Sequence, residues 1–109
     1  MMNSSRLHRV PLFEGLTDAQ LLRLEEICVE EQFTKNQYLF RQGEPAEWLY
    51  VILRGRVKLV RHAPSGAATI IEIYSVGDEL TAAALVEGRV YPASAKTLTD
   101  GVAMKVSHY

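Results

Sequence analysis

Cysteine is nearly missing from this chain: Cys28 stands alone among 109 residues. A single thiol excludes an internal disulfide, a CxxC redox motif and a multi-cysteine metal or iron–sulfur site. Long apolar runs are missing too. The longest, Trp48 to Leu53, has six residues, against the ~20 that a membrane helix needs. The N-terminus, MMNSSRLHRV, lacks the continuous apolar stretch of a signal peptide. Charge of one sign is absent as well. Twelve Lys and Arg against thirteen Asp and Glu leave a net charge of −1, which argues against holding nucleic acid by bulk electrostatics. No internal repeat or low-complexity tract is visible. These absences lead to the expectation of a cytoplasmic chain without a membrane partner.

What is present fits one domain over residues 1–109, with 48% hydrophobic residues, enough for a core without staples. Thr17-Asp18-Ala19-Gln20 reads as a capping box, with Leu16 and Leu21 placed for a hydrophobic staple. Leu21, Leu24 and Cys28 then share a face, with Ile27 beside them, while Arg23, Glu25 and Glu26 point away. A helix is expected over Thr17 to Val29. A shorter segment around Ser4 to Val10 would end at Pro11. Cys28 reads as a small core residue.

From Glu31 onward the pattern is short strands between turn residues. Gln32 to Thr34 and Gln37 to Phe40 flank Lys35-Asn36, and Gly43-Glu44-Pro45 turns. Trp48 to Arg54 is apolar on both faces and so buried on both. Gly55 breaks it; Arg56 to His62 and Ala68 to Tyr74 flank the turn Pro64-Ser65-Gly66. Thr81 to Val86, Ala-rich, reads as a short helix. Tyr91 to Thr99 and Val102 to Ser107 are joined by Asp100-Gly101, a hairpin signal. One helix followed by about eight short strands is the pattern of a sandwich, roll or barrel. A helix N-terminus facing such a cavity is a natural anion site.

The stretch Leu39-Phe40-Arg41-Gln42-Gly43-Glu44-Pro45-Ala46-Glu47-Trp48-Leu49-Tyr50-Val51-Ile52-Leu53-Arg54-Gly55 resembles the cyclic-nucleotide-binding domain of the Crp/Fnr family of bacterial transcription regulators. Pro11-Leu12-Phe13-Glu14-Gly15-Leu16 before a capped helix is similar to the family, as is Tyr91-Pro92-Ala93-Ser94-Ala95-Lys96-Thr97-Leu98-Thr99-Asp100. The resemblance runs from Val10 to Ser107, with Phe40 where the family usually has an aliphatic residue. It implies a mainly β fold: a β-roll, or double-stranded β-helix of jelly-roll type, with an N-terminal helix and a short helix in the phosphate-binding-cassette position. In the family a dimerisation helix and a helix-turn-helix DNA-binding domain follow. The chain stops at Tyr109, so the expectation is an effector domain separated from both. DNA would be bound only through the absent part, and RNA polymerase only by the full-length protein. The fragment is expected to be a monomer or weak dimer and the full-length protein a homodimer.

The resemblance also implies where a ligand would sit. The family's cassette spans Gly77 to Ala95. Its Gly-Glu pair falls on Thr81-Ala82 and its Arg-Ser pair on Ala93-Ser94, so only Ser94 matches. A phosphate without the guanidinium loses a charge-assisted contact of ~1.5–3 kcal/mol. Binding of cAMP or cGMP in the usual mode is therefore disfavoured. The expected lining is Ile71, Ile73, Leu80, Thr81, Ala82, Ala83, Tyr91, Ala93 and Ser94. That small, mostly apolar set suits a neutral or apolar effector, haem, or no ligand. Arg61 and Arg89 are the substitute phosphate partners, and His8 is the candidate haem ligand. His62, before a turn, and His108, near the chain end, read as solvated.

No metal site is expected, because the histidines are not paired at ligand spacing. No enzyme is expected, because no serine has a predictable histidine partner. The basic cluster Arg54, Arg56, Lys58 and Arg61 reads as a solvated strand face, with an anion or partner patch as the alternative. Trp48 and Tyr50 read as core. The leading expectation is a ligand-sensing effector domain of a Crp/Fnr-type regulator with a degenerate cyclic-nucleotide pocket. Its rival is a stand-alone β-roll interaction module without an effector, which Ala82-Ala83-Ala84 favours. A cupin-like enzyme is the third, and lacks the histidines.

Overall fold

A computed structural model gives the tertiary arrangement and describes residues 11–80 and 90–107. A 3-10 turn at Pro11–Phe13 leads into helix α1, Asp18–Ile27. Among the described residues eight strands follow: β1 (Val29–Phe33), β2 (Tyr38–Phe40), β3 (Trp48–Arg54), β4 (Val57–His62), β5 (Ala68–Tyr74), β6 (Glu79–Leu80), β7 (Ser94–Thr97) and β8 (Gly101–Ser107). They form two antiparallel sheets, ordered β1-β8-β3-β6 and β2-β7-β4-β5. This is the expected roll with its N-terminal helix. The short helix expected at Thr81 to Val86 and the segment at Ser4 to Val10 lie outside the described residues.

The capping box forms as written in the sequence. The Thr17 hydroxyl accepts from the Gln20 amide at 3.2 Å, and Gln20 Oε1 accepts from the Thr17 amide at 2.9 Å. Of the staple pair, Leu21 is buried while Leu16 stays 40% exposed. The helix ends at Ile27, two residues before the expected Val29. Cys28 is already extended, and Val29 pairs with Lys105 to begin β1. The strand ladder takes the backbone groups that a longer helix would have used.

Helix α1 packs Leu21 on Val51 and Met104, with Phe13, Leu24, Cys28 and Leu53 at the margin. Tyr50 and Ile52 point the other way, into the space between the sheets with Phe33, Phe40, Val57, Ala95 and Ala103. Strand alternation thus explains why β3 is apolar on both faces: one faces the helix and the other faces the roll. Ile27, expected beside the helix's apolar face, is exposed.

The chain passes between the sheets at one corner. It crosses from β1 to β2 at Thr34–Gln37, from β3 to β4 at Gly55, and from β7 to β8 at Leu98–Asp100. The three crossings are bonded together. The Leu98 amide donates to the Arg56 carbonyl at 2.8 Å, and the Lys35 amide donates to Asp100 Oδ1 at 2.8 Å. Thr97, fully buried, donates its hydroxyl to the Thr34 carbonyl and accepts from the Gln37 amide at 2.8 Å. Asp100-Gly101 is therefore not the hairpin turn expected from the dipeptide. It carries the chain from one sheet to the other, because β8 pairs with β1 and β3 while β7 pairs with β2 and β4. Pro64-Ser65-Gly66 does close a hairpin, joining β4 to β5 in register from Val57↔Tyr74 to His62↔Ala68.

Two glycines touch at that corner. Gly55 has φ +95°, and a Cβ on it would meet the Asp100 carbonyl oxygen at 2.7 Å. A Cβ on Gly101 would collide with the Arg54 carbonyl and meet the Phe33 ring at 2.5 Å. Gly43, with φ +89°, has open space around it. In urea unfolding, Gly55→Ala and Gly101→Ala are expected to lose about 2–4 kcal/mol each. Gly43→Ala should lose only the ~1 kcal/mol of backbone strain. Equal losses at all three positions would show that close approach at the corner does not govern stability.

Candidate functional site

The inner end of the roll is built by β2, β3, β6 and the segment leading into β7. Leu80 pairs with Tyr50 across β6 and β3, and both are buried. Tyr91 belongs to the same core cluster. Two backbone bonds hold it to the turn before β3: its amide donates to the Glu44 carbonyl at 2.9 Å, and its carbonyl accepts from the Gly43 amide at 2.9 Å. Its phenol oxygen accepts from the Glu47 and Trp48 amides at 3.3 and 3.2 Å. Its ring stacks on Phe40, with centroids 4.0 Å apart and planes 19° from parallel. Phe40 in turn lies 5.7 Å from the Tyr50 ring. This aromatic column fills the centre of the roll, where an aliphatic residue at position 40 would leave room.

A crevice of about 310 Å³ runs beside the column, lined by Leu39, Glu44, Glu47 and Trp48 among others. A second groove of about 390 Å³ lies over Tyr38, Arg41, Gln42, His62 and Ser94. Gln42 holds this groove's shape. Its side-chain amide donates to the His62 carbonyl at 3.1 Å and its Oε1 accepts from the His62 amide at 2.8 Å, while its backbone amide donates to Ser94 Oγ at 2.8 Å.

Of the expected lining, Leu80, Tyr91, Ala93 and Ser94 are all buried; Leu80 and Tyr91 share the core cluster, whereas Ser94 lines the groove with Tyr38, Arg41, Gln42 and His62. Ile73 lies elsewhere: it sits opposite Lys58 and is 49% exposed, while its neighbour Tyr74 faces the core opposite Val57. Ile71 is the unpaired residue where the β4–β5 register shifts, and it too is exposed. A one-residue shift turns a side chain to the other face of a sheet, and the alternation of Thr69, Ile71 and Ile73 could not reveal it. Arg61 is exposed on β4 opposite Thr69. Thr81, Ala82, Ala83, Arg89 and His8 lie outside the described residues. The Phe40–Tyr91 stack was missed by the sequence reading; the signal for it was the departure of Phe40 from the family's aliphatic residue.

Among the described residues no group of three or more His, Cys, Asp or Glu side chains is placed to hold a metal ion. Burial, with Glu25 nearby, pushes the half-buried Cys28 thiol upward, the direction of an inert structural cysteine. Trp48 sits at the rim of the roll, with Lys105 Nζ 4.5 Å from its ring and in turn 3.0 Å from Glu31.

Residues 30–108 match the family described as the cyclic nucleotide-binding domain. The chain is 28% identical over 94 residues to a CRP-like cAMP-activated global transcriptional regulator of Mycobacterium tuberculosis, covering 86% of this chain and 42% of that protein. The N-terminal domain of a transcriptional regulator from Streptomyces coelicolor A3(2) superposes with a TM-score of 0.87 at 28% identity, over 95% of this chain and 73% of that one. The sensor domain of the transcriptional regulator DNR from Pseudomonas aeruginosa superposes with a TM-score of 0.83 at 30% identity, over 93% and 67%.

Burial, then the charges near Glu31, Tyr91 and Glu44, push the Tyr50 phenol well above its ordinary value of 10.0. The folded protein therefore keeps the Tyr50 proton at a pH where the unfolded chain has released it. Its contribution is complete below the ordinary value and is lost as pH rises above it. In chemical denaturation between about pH 8 and pH 11, wild-type stability should fall more steeply than that of Tyr50→Phe. That variant should also start about 1 kcal/mol lower, having lost the bond from the Tyr50 hydroxyl to the Leu39 carbonyl, 3.2 Å long. Parallel curves would remove Tyr50 as the source.

Proposed function

The chain belongs to the cyclic nucleotide-binding domain family, and from that premise we propose that it is the effector-sensing domain of a Crp/Fnr-type transcription regulator whose pocket does not use a cyclic phosphate. The chain spans 42% of the length of the curated regulator it matches. DNA binding, contact with RNA polymerase and homodimer formation belong in this reading to the whole regulator.

Ala93 carries the reading. It occupies the position to which the family resemblance assigns the phosphate-binding arginine, and it is 1% exposed. A cyclic phosphate brought to this wall would meet a methyl group instead of a guanidinium, and a buried anion without a charge partner is strongly disfavoured. The matching serine, Ser94, already accepts the Gln42 amide through its hydroxyl oxygen. A buried methyl group at position 93, with Leu80 and Tyr91 in the core of the roll, suits a neutral, largely apolar effector.

The output follows from exposure on β5. Ile70, Ile71 and Ile73, with Val76 beyond the strand, are 43–56% exposed. Such an apolar set is suited to a helix of the regulator that packs against the roll. An effector that favours one packing would shift the population of DNA-binding states by its differential affinity for the two. One observation favours the rival, an interaction module with no effector: the Phe40–Tyr91 stack fills the centre of the roll with the chain's own side chains.

A thermal-shift series with cAMP, cGMP, haem and a panel of neutral metabolites separates these readings. A ligand at about 100 times its Kd adds about 2.7 kcal/mol, which raises Tm by roughly 4–8 °C in a domain of this size. The wild-type chain should not respond to cAMP, whereas Ala82→Glu/Ala93→Arg should gain a response. A cAMP shift in the wild type would sink the degenerate-pocket reading. Silence with every compound, for the chain and for the full-length regulator alike, would favour the effector-free module.

A further inference from the structure

The outer face of the β2-β7-β4-β5 sheet carries a row of cations that the pocket does not use. Lys58 on β4 lies directly opposite Lys96 on β7, and Lys96 lies opposite Tyr38 on β2. Their neighbours Val57 and Thr97 are fully buried, so strand alternation sends both lysines outward. Like charges directly opposite each other on neighbouring strands destabilise a sheet. Among the described residues no carboxylate forms an ion pair with Arg41, Lys58 or Lys96. The one acid within these four strands, Glu72, lies opposite Leu59, a position whose side chain packs on the core.

The cations are held in place. The Arg41 guanidinium lies 4.0 Å from the centre of the Tyr38 ring, and Lys96 Nζ lies 5.2 Å from it. Cation–π contact orders side chains that would otherwise lose much rotamer freedom on binding. Next to them runs the groove over Tyr38, Arg41, Gln42, His62 and Ser94. Arg56, exposed just before β4, adds to the positive charge on this face. Helix α1, on the outer side of the other sheet, has the opposite sign, with Asp18, Glu25 and Glu26 against Arg23.

We propose that this face, centred on Tyr38, Arg41, Lys58 and Lys96, is a docking surface for an acidic, extended polypeptide segment of a partner protein. Carboxylates spaced along such a segment would meet Arg41, Lys96 and Lys58 in turn and relieve the Lys58–Lys96 repulsion. Single-stranded nucleic acid fits less well. The Tyr38 ring, which would have to stack on a base, is covered by Arg41 and Lys96. The effector reading relies on none of Tyr38, Arg41, Lys58 and Lys96, although the adjoining groove includes Ser94 and Ile73 lies opposite Lys58.

The test is fluorescence anisotropy with a labelled decapeptide of alternating Glu and Ser, compared with a ten-nucleotide oligothymidylate. The wild-type chain should bind the peptide saturably and more tightly than the oligonucleotide. The affinity should drop about tenfold when salt rises from about 50 mM to about 200 mM. Lys58→Gln/Lys96→Gln and Arg41→Gln should each weaken peptide binding about tenfold or more, without lowering Tm; the double lysine variant, relieved of its repulsion, should if anything melt higher. Lys58→Arg/Lys96→Arg should retain binding, and Arg23→Gln, on the helix, should leave it alone. Equal binding by wild type and Lys58→Gln/Lys96→Gln would overturn the proposal, as would tighter binding of the oligonucleotide. So would a concentration-dependent dimer abolished by the same substitutions, which would give the face to a second copy of the chain.

Discussion

Gly55 and Gly101 meet where the chain changes sheets, and the rest of the roll depends on that contact. The position of a Cβ on Gly55 is taken by the Asp100 carbonyl, and that of a Cβ on Gly101 by the Arg54 carbonyl and the Phe33 ring. Two backbones can pass this closely only where neither carries a side chain. Because they do, β3 and β8 enter one sheet side by side as β4 and β7 enter the other side by side. Thr97 and Asp100 then tie the third crossing, at Thr34–Gln37, to the same corner. A buried threonine with both hydroxyl roles used adds direction to a corner that apolar packing alone would leave free to slide.

Between the two sheets the roll must be filled or left open. Phe40, Tyr50 and Tyr91 fill its centre. Tyr91 does more than pack, since its phenol closes on the backbone at Glu47 and Trp48 while its own backbone closes on Gly43 and Glu44. The segment leading into β7 is thereby pinned, and Ala93 and Ser94 follow it, both buried. Ala93 is buried at the end of that segment, and the proposed reading turns on the chemistry of that position. An arginine there would supply the charge that a cyclic phosphate requires, and a methyl group supplies none.

The two sheets also divide the surface between them. Helix α1 covers the outer side of the β1-β8-β3-β6 sheet with apolar residues, and acidic side chains line its exposed side. The outer side of the other sheet shows Tyr38, Lys58 and Lys96 instead. A net charge of −1 hides this division, because a sum over the chain carries no direction.

Local signals were legible in the residues. Thr17 and Gln20 wrote the helix start, Gly55 and Pro64-Ser65-Gly66 wrote breaks, and the apolar run from Trp48 announced a strand buried on both faces. Each rests on interactions within a few residues, which sequence order determines. The partner of each strand was not legible. Asp100-Gly101 has the composition of a hairpin, yet the pairing of β8 with β1 and β3 turns it into a crossing. The β4–β5 register shift moved Ile71 out of the ladder and left Ile73 facing outward, against an alternation that read cleanly in one dimension. The Phe40–Tyr91 stack and the Lys58–Lys96 row join residues far apart in the chain. By itself the sequence determined the elements, their capping and their breaks, because those energies are local. Only the tertiary structure decided which faces meet, because that choice rests on long-range packing and on backbones close enough to demand glycine.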